Sequence, residues 1–88
     1  MTTFEVLAEP VRRQILDRVR ERPRSVGELV GLLGLSQPTM SKHLRVLRDA
    51  GLVRAQIDAQ RRVYELRHEP LAELDAWLQP YRRFWSKE

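Results

Sequence analysis

Two helix starts and two glycine stops, crowded between Ser25 and Gly51, constrain this chain more than any other feature. Ser25-Val26-Gly27-Glu28 is a capping box: the Ser oxygen and the Glu carboxylate each satisfy a backbone N–H that the first helical turn leaves unpaired. The helix it opens carries Leu29, Val30, Leu32 and Leu33, and Gly34 ends it. Ser36 caps a second helix, Pro38 falls in its first turn, and Gly51 stops it. Two short helices joined through Gly34-Leu35 have the layout of a helix-turn-helix.

On a wheel of about 100° per residue, Met40, Leu44 and Leu47 share one face of the second helix, which must be the buried one. Pro38, Ser41, Lys42 and Arg45 lie opposite, with Gln37 and Thr39 at the edges of the stripe. Short hydrogen-bonding groups and two cations thus collect at a helix N-terminus, which suits reading of base edges in a major groove. A solvated helix face would look the same in isolation. The capped helix before it and the strands after it favour the DNA reading.

Pro10 starts an earlier helix on which Val11, Ile15, Leu16 and Val19 recur at helical spacing, while Arg12, Arg13, Asp17 and Arg20 face away. Arg22-Pro23-Arg24 breaks it, and Phe4 and Leu7 suggest a short helical lead-in. After Gly51 the period changes. Leu52–Ile57 and Arg62–Leu66 read as two strands around a polar tip, Asp58-Ala59-Gln60-Arg61, which makes a wing. From Pro70 the pattern is helical again, and Pro80 predicts a bend between Ala76 and Pro80. The expected architecture is mostly α with a small β-hairpin (α+β): a winged helix-turn-helix of about five helices and a two-stranded wing, in one domain over residues 1–88.

Lys and Arg outnumber Asp and Glu by 16 to 12, a net charge of +4, which suits a phosphate partner and equally suits plain solubility. With no cysteine, disulfides, thiolate metal sites and cysteine nucleophiles are excluded. The N-terminus has no signal-peptide pattern, and no stretch approaches the roughly 20 apolar residues of a membrane span. A soluble cytoplasmic protein without cofactor follows. Neither His43 nor His68 has a nucleophile and carboxylate arranged with it in sequence, and no Gly-rich phosphate loop is present, so no enzymatic activity is expected. His43 reads as a packed, hydrogen-bonded residue beside the buried face, with a pH or DNA role as the alternative; His68 reads as a cap or surface residue.

The run from Leu35 through Val53, LSQPTMSKHLRVLRDAGLV, resembles the signature of ArsR-type winged-helix repressors. Leu7–Leu16 is similar to that family's lead helix, and Arg62–Leu66 to its second wing strand. The tail Leu74–Trp85 resembles the metal-independent, SdpR-like branch, in which the last helix runs further; here it stops at Ser86-Lys87-Glu88 with no C-cap signal, as a shortened or naturally short member would. The resemblance implies a homodimeric repressor on a pseudo-palindromic operator. Relatives that sense metal place thiolates where this chain has Val30 and Leu32, and a second family site needs His and Asp on the last helix. The tail offers Glu73 and Asp75 but no His beyond His68, so no metal site is expected.

The roles that follow assign base reading to Gln37, Thr39, Ser41 and Lys42, and phosphate contact to Ser36, Arg45, Arg61 and Arg62. Arg54 lies on the first wing strand, Arg12, Arg13 and Arg24 could add phosphate contacts, and Arg48 and Asp49 read as ion-pair or capping residues. Leu71, Leu74, Leu78, Tyr81 and Trp85, with Trp77 and Phe84 added, cover more than one helix face. With Phe4 they imply a dimer interface built from residues 2–8 and 70–86, the alternative being aromatics folded back on their own core. The partners expected are double-stranded DNA and a second copy of the chain, with no membrane partner and an unidentified effector. A repressor, autoregulatory by this reading, has one rival: a winged-helix module for protein interaction that binds DNA weakly and without sequence preference.

Overall fold

The structure, a computed structural model, describes residues 1–86. The expectation of no C-cap signal over Lys87-Glu88 falls outside the described residues. The order is α1 (Thr3–Leu7), α2 (Pro10–Glu21), β1 (Arg24–Ser25), α3 (Val26–Leu33), α4 (Gln37–Asp49), β2 (Val53–Asp58), β3 (Arg61–Leu66), α5 (Glu69–Leu78) and a 3-10 segment, Gln79–Phe84. The five helices and the wing are those the sequence predicts.

Helix starts are set by side chains. Ser25 accepts from the Glu28 N–H while the Glu28 carboxylate accepts from the Ser25 N–H, so the capping box forms in full. Thr2 and Glu5 make a second box on α1, legible as Thr-x-x-Glu but missed. Glu9 caps α2 through the Val11 N–H. Gly34 (φ 68°) and Gly51 (φ 76°) take the left-handed backbone that ends α3 and turns α4 into the wing, a conformation costly for any residue with a Cβ.

The core gathers one face from every layer. Ile15, Leu16 and Val19 of α2, Leu29 of α3, Met40, Leu44 and Leu47 of α4, and Leu52, Val53 and Tyr64 of the sheet region form one buried cluster with Val6. Burying each such side chain contributes about 1.5–3 kcal/mol. That is enough to hold short helices that would not persist alone.

Three local expectations change. The sheet has three antiparallel strands in the order β1-β3-β2, since Arg24 and Ser25 pair with Tyr64 and Val63. Pro23 blocks α2 from continuing and biases Arg22 to extended backbone, and a two-residue strand is too short to show a period. The wing is longer than expected, because Asp58 and Arg61 pair across it and only Ala59-Gln60 remains as a turn, with Ala59 at φ 58°. At the C-terminus the bend is a change of helix type: α5 stops at Leu78 and tightens into the 3-10 segment. Pro80 has no N–H to continue the α-helical ladder.

Glu28 links the cap to pH. The Ser25 N–H it accepts, and then the Arg22 guanidinium at 2.6 Å, hold its carboxyl below the ordinary 4.5. A depressed folded-state pKa contributes stability that is present above about pH 4.5 and lost as pH falls through the lower folded value. Glu28→Gln should therefore lower Tm at pH 7, with the gap to wild type narrowing as pH falls below 4.5. A gap that stays constant across that range in thermal scans contradicts the assignment.

Candidate nucleic-acid interface

The interface is built on α4. Ser36 sits at the N-cap in extended backbone (φ −67°, ψ 155°), and its Oγ accepts from the Thr39 N–H at 3.3 Å. The Ser36 hydroxyl also donates to Thr39 Oγ1 at 3.0 Å. Its proton is thus committed within the cap, while the Thr39 hydroxyl keeps a proton to donate. Pro38 stands in the first turn, where its missing N–H costs nothing, and the Gln37 N–H has no partner among the described residues.

Met40, Leu44 and Leu47 are at most 1% exposed, and Gln37, Pro38, Thr39, Ser41, Lys42 and Arg45 are all exposed. The helix is therefore clamped by one face and presents the other, as its periodicity predicts. Gln37, Ser41, Lys42 and Arg45 make no side-chain hydrogen bond or ion pair among the described residues, so their donors are available. The helix N-terminus adds partial positive charge beside them. Such an arrangement can offer cations and N–H donors to phosphates and short polar groups to base edges.

The wing stands beside it. Arg61 and Arg62 are exposed and unpaired among the described residues, but as consecutive strand residues they point to opposite faces of the hairpin. Arg62 lies across from the exposed Ile57, and Arg61 across from Asp58. Arg61 is near enough to Glu28 to help keep that carboxylate ionised. Arg54 is engaged by Glu65, which also accepts from Gln56 Nε2 at 2.8 Å, so this cross-strand cluster stiffens the wing.

Several basic residues are not where the sequence reading put them. Arg24 is 11% exposed at its side chain, held by Glu21 at 2.8 Å, Glu28 at 3.7 Å and the Arg18 carbonyl at 3.2 Å. It is a structural tie and not a free cation. Arg12 does not face away: it is half-buried and bonded to His43 and the Val6 carbonyl. Arg13 is exposed and donates to the Leu7 carbonyl at 2.6 Å. Arg48 and Asp49 make no side-chain ion pair among the described residues. His43 is half-buried and hydrogen-bonded, and His68 stands at the N-cap of α5 without a side-chain capping bond.

A second surface, on α1, α5 and the 3-10 segment, is rich in exposed apolar side chains. Leu71, Leu74 and Leu78 are half-buried, while Phe4, Trp77, Tyr81, Phe84 and Trp85 are exposed, Trp77 at 55% and Phe84 at 70%. Phe4 meets Trp77 edge-on at 5.9 Å, and Trp77 meets Tyr81 at 5.1 Å. The aromatics join α1 to α5 without folding back under the core. Val30 packs against the core and Leu32 is exposed, and neither carries a metal donor. No helix among the described residues is long and apolar enough to cross a membrane.

Comparison with known proteins agrees with this fold. The family model described as "Bacterial regulatory protein, arsR family" matches residues 9–55, from the cap of α2 into β2. A transcriptional regulator of Mycobacterium tuberculosis, Rv2034, is 40% identical over 84 residues, covering 96% of this chain and 76% of its own length. Other regulators of that species match with 63% or 53% of their length covered. The crystal structure of the ArsR family regulator RHA00566 superposes with TM-score 0.80 at 30% identity, over 97% of this chain and 88% of that one. The solution structure of the homodimeric winged helix-turn-helix DNA-binding domain of Mb0332 from Mycobacterium bovis gives TM-score 0.72 at 30% identity, over 94% and 77%. The fold is a winged helix-turn-helix, and the chain belongs to the ArsR family of bacterial regulatory proteins, a family of transcriptional regulators and not of enzymes.

Proposed function

We propose that this chain is a sequence-specific repressor that binds double-stranded DNA as a homodimer, on a pseudo-palindromic operator near its own gene. One observation carries the reading: a rigidly backed helix presents Gln37, Thr39, Ser41, Lys42 and Arg45 with every side-chain donor except the Ser36 hydroxyl uncommitted. Gln37, Thr39, Ser41 and Lys42 take base edges, and Arg45, Arg61 and Arg62 take phosphates. Ser36 contributes through its cap, which leaves the Gln37 N–H to meet a phosphate. Arg61 and Arg62, on opposite faces of the wing, reach phosphates on either side of a groove.

The homodimer rests on the aromatic surface of α1 and α5. Phe4, Leu71, Leu74, Trp77, Leu78, Tyr81, Phe84 and Trp85 form an apolar surface too rich in exposed rings to stand in water unpartnered. That a structural relative is described as homodimeric supports the same use here. Two copies of α4 then enter successive major grooves roughly 10 base pairs apart. The dimer blocks a promoter without a thiolate metal switch, since Val30 and Leu32 offer no ligand.

Selection from a random duplex pool supplies the operator. Replacing Arg45 or Arg61 with Ala should reduce the slope of log affinity against log salt by about one unit per lost phosphate contact, while Lys42→Ala should relax base preference. An unchanged slope for both contradicts these assignments, and binding indifferent to sequence in wild type favours the protein-interaction module. Trp77→Ala should weaken dimerisation by on the order of tenfold or more in sedimentation equilibrium, the scale of a central aromatic anchor. A variant that dimerises as wild type does moves the interface elsewhere.

A further inference from the structure

One arginine ties the first helix to the recognition helix. Arg12 Nε donates to His43 Nδ1 at 3.4 Å, while its Nη1 donates to the Val6 carbonyl at 3.3 Å and reaches the Met1 thioether at 3.5 Å. Val6 is fully buried at the end of α1, the helix whose Phe4 packs on Trp77. His43 stands on α4 between Lys42, which is exposed, and Leu44, which is buried. At about 100° per residue His43 shares a flank of α4 with Thr39 and Val46.

The chemistry of the pair is one-sided. A guanidinium is always a donor, so Nδ1 must be the acceptor and the ring proton sits on Nε2. Arg12 has no carboxylate partner among the described residues. A half-buried cation therefore spends its fork on an imidazole and a carbonyl from two other helices, when a turn outward would leave it free for phosphate. This contact is long-range in sequence, and it joins the aromatic surface to the reading stripe through one side chain.

We propose that Arg12 and His43 are positioning residues for DNA binding, their bond setting how the middle of α4 is held against α2. The proposal rests on α4 being the helix that reads DNA. Lys42 and Thr39, the neighbours of His43 along and around the helix, are the side chains whose aim it fixes. Neither Arg12 nor His43 touches the duplex in this account.

The test is a double-mutant cycle with Arg12→Ala, His43→Ala and the pair, titrated on the duplex selected from the random pool. Each single variant should lose about tenfold in specific affinity, and the double variant no more than either single. The salt slope should stay at the wild-type value, since no phosphate contact is lost. His43→Asn, whose Oδ1 stands close to the place of Nδ1, should recover most of the loss. Nitrogen-15 imidazole spectra should show His43 as the Nε2–H tautomer in wild type and a mixture in Arg12→Ala.

Losses that add in the double variant, a slope that drops by about one unit in Arg12→Ala, or an affinity loss that only follows a fall in Tm would each overturn the proposal. So would an unchanged tautomer without Arg12. If wild type selects no sequence at all, the reading of α4 fails and this proposal with it. If wild type selects and the losses add, the proposal alone fails.

Discussion

Everything else in this fold leans on the burial of one face of α4. Met40, Leu44 and Leu47 plug into a cluster supplied by α2, α3 and the sheet region, and none of the three exposes more than 1% of its surface. A side chain lost from such a site costs about 2–5 kcal/mol, a large part of what a domain this small can hold in reserve. That burial fixes the helix in rotation, and rotation is what separates a reading stripe from a random polar face. The Ser36 cap and the left-handed Gly51 then fix where the helix starts and where the wing leaves it.

Charge is distributed to match. The carboxylates near the sheet are used to hold arginines in place: Glu21 and Glu28 take Arg24, and Glu65 takes Arg54. Lys42, Arg45, Arg61 and Arg62 are left without a side-chain hydrogen bond or ion pair among the described residues. The positive charge left unpaired is therefore concentrated on the exposed face of α4 and at the tip of the wing, while Arg54 lower on the wing is neutralised. Surface ion pairs of this kind add little stability. Their effect is to decide which cations remain free.

Helix periodicity, capping residues and glycine stops were readable because they are local, and they located α2, α3, α4, the wing and the stripe on α4. What was not readable depends on partners that lie outside each element's own periodicity. The strand at Arg24–Ser25 exists only because β3 offers it an edge, and Arg24 leaves the surface because Glu21, Glu28 and the Arg18 carbonyl converge on it. Arg12 looked like an outward residue on a wheel; His43 and Val6, which turn it inward, come from other helices. Pro80 announced an interruption but not its form, since a single missing N–H is equally compatible with a kink or a 3-10 segment.

The same logic connects the two surfaces. The exposed rings of α1 and α5 and the stripe on α4 are separate surfaces, yet α1 touches both α2 and α5, and Arg12 of α2 bonds to both α1 and α4. In a two-fold assembly through the aromatic surface, the distance between two copies of α4 is fixed by the fold and cannot adjust freely to the DNA. The most direct measurement is therefore a mobility-shift series on paired half-sites whose separation is varied one base pair at a time. The account predicts a sharp affinity maximum near 10 base pairs centre to centre, with either half-site alone bound far more weakly. Equal binding at all separations, or to a single half-site, would contradict it.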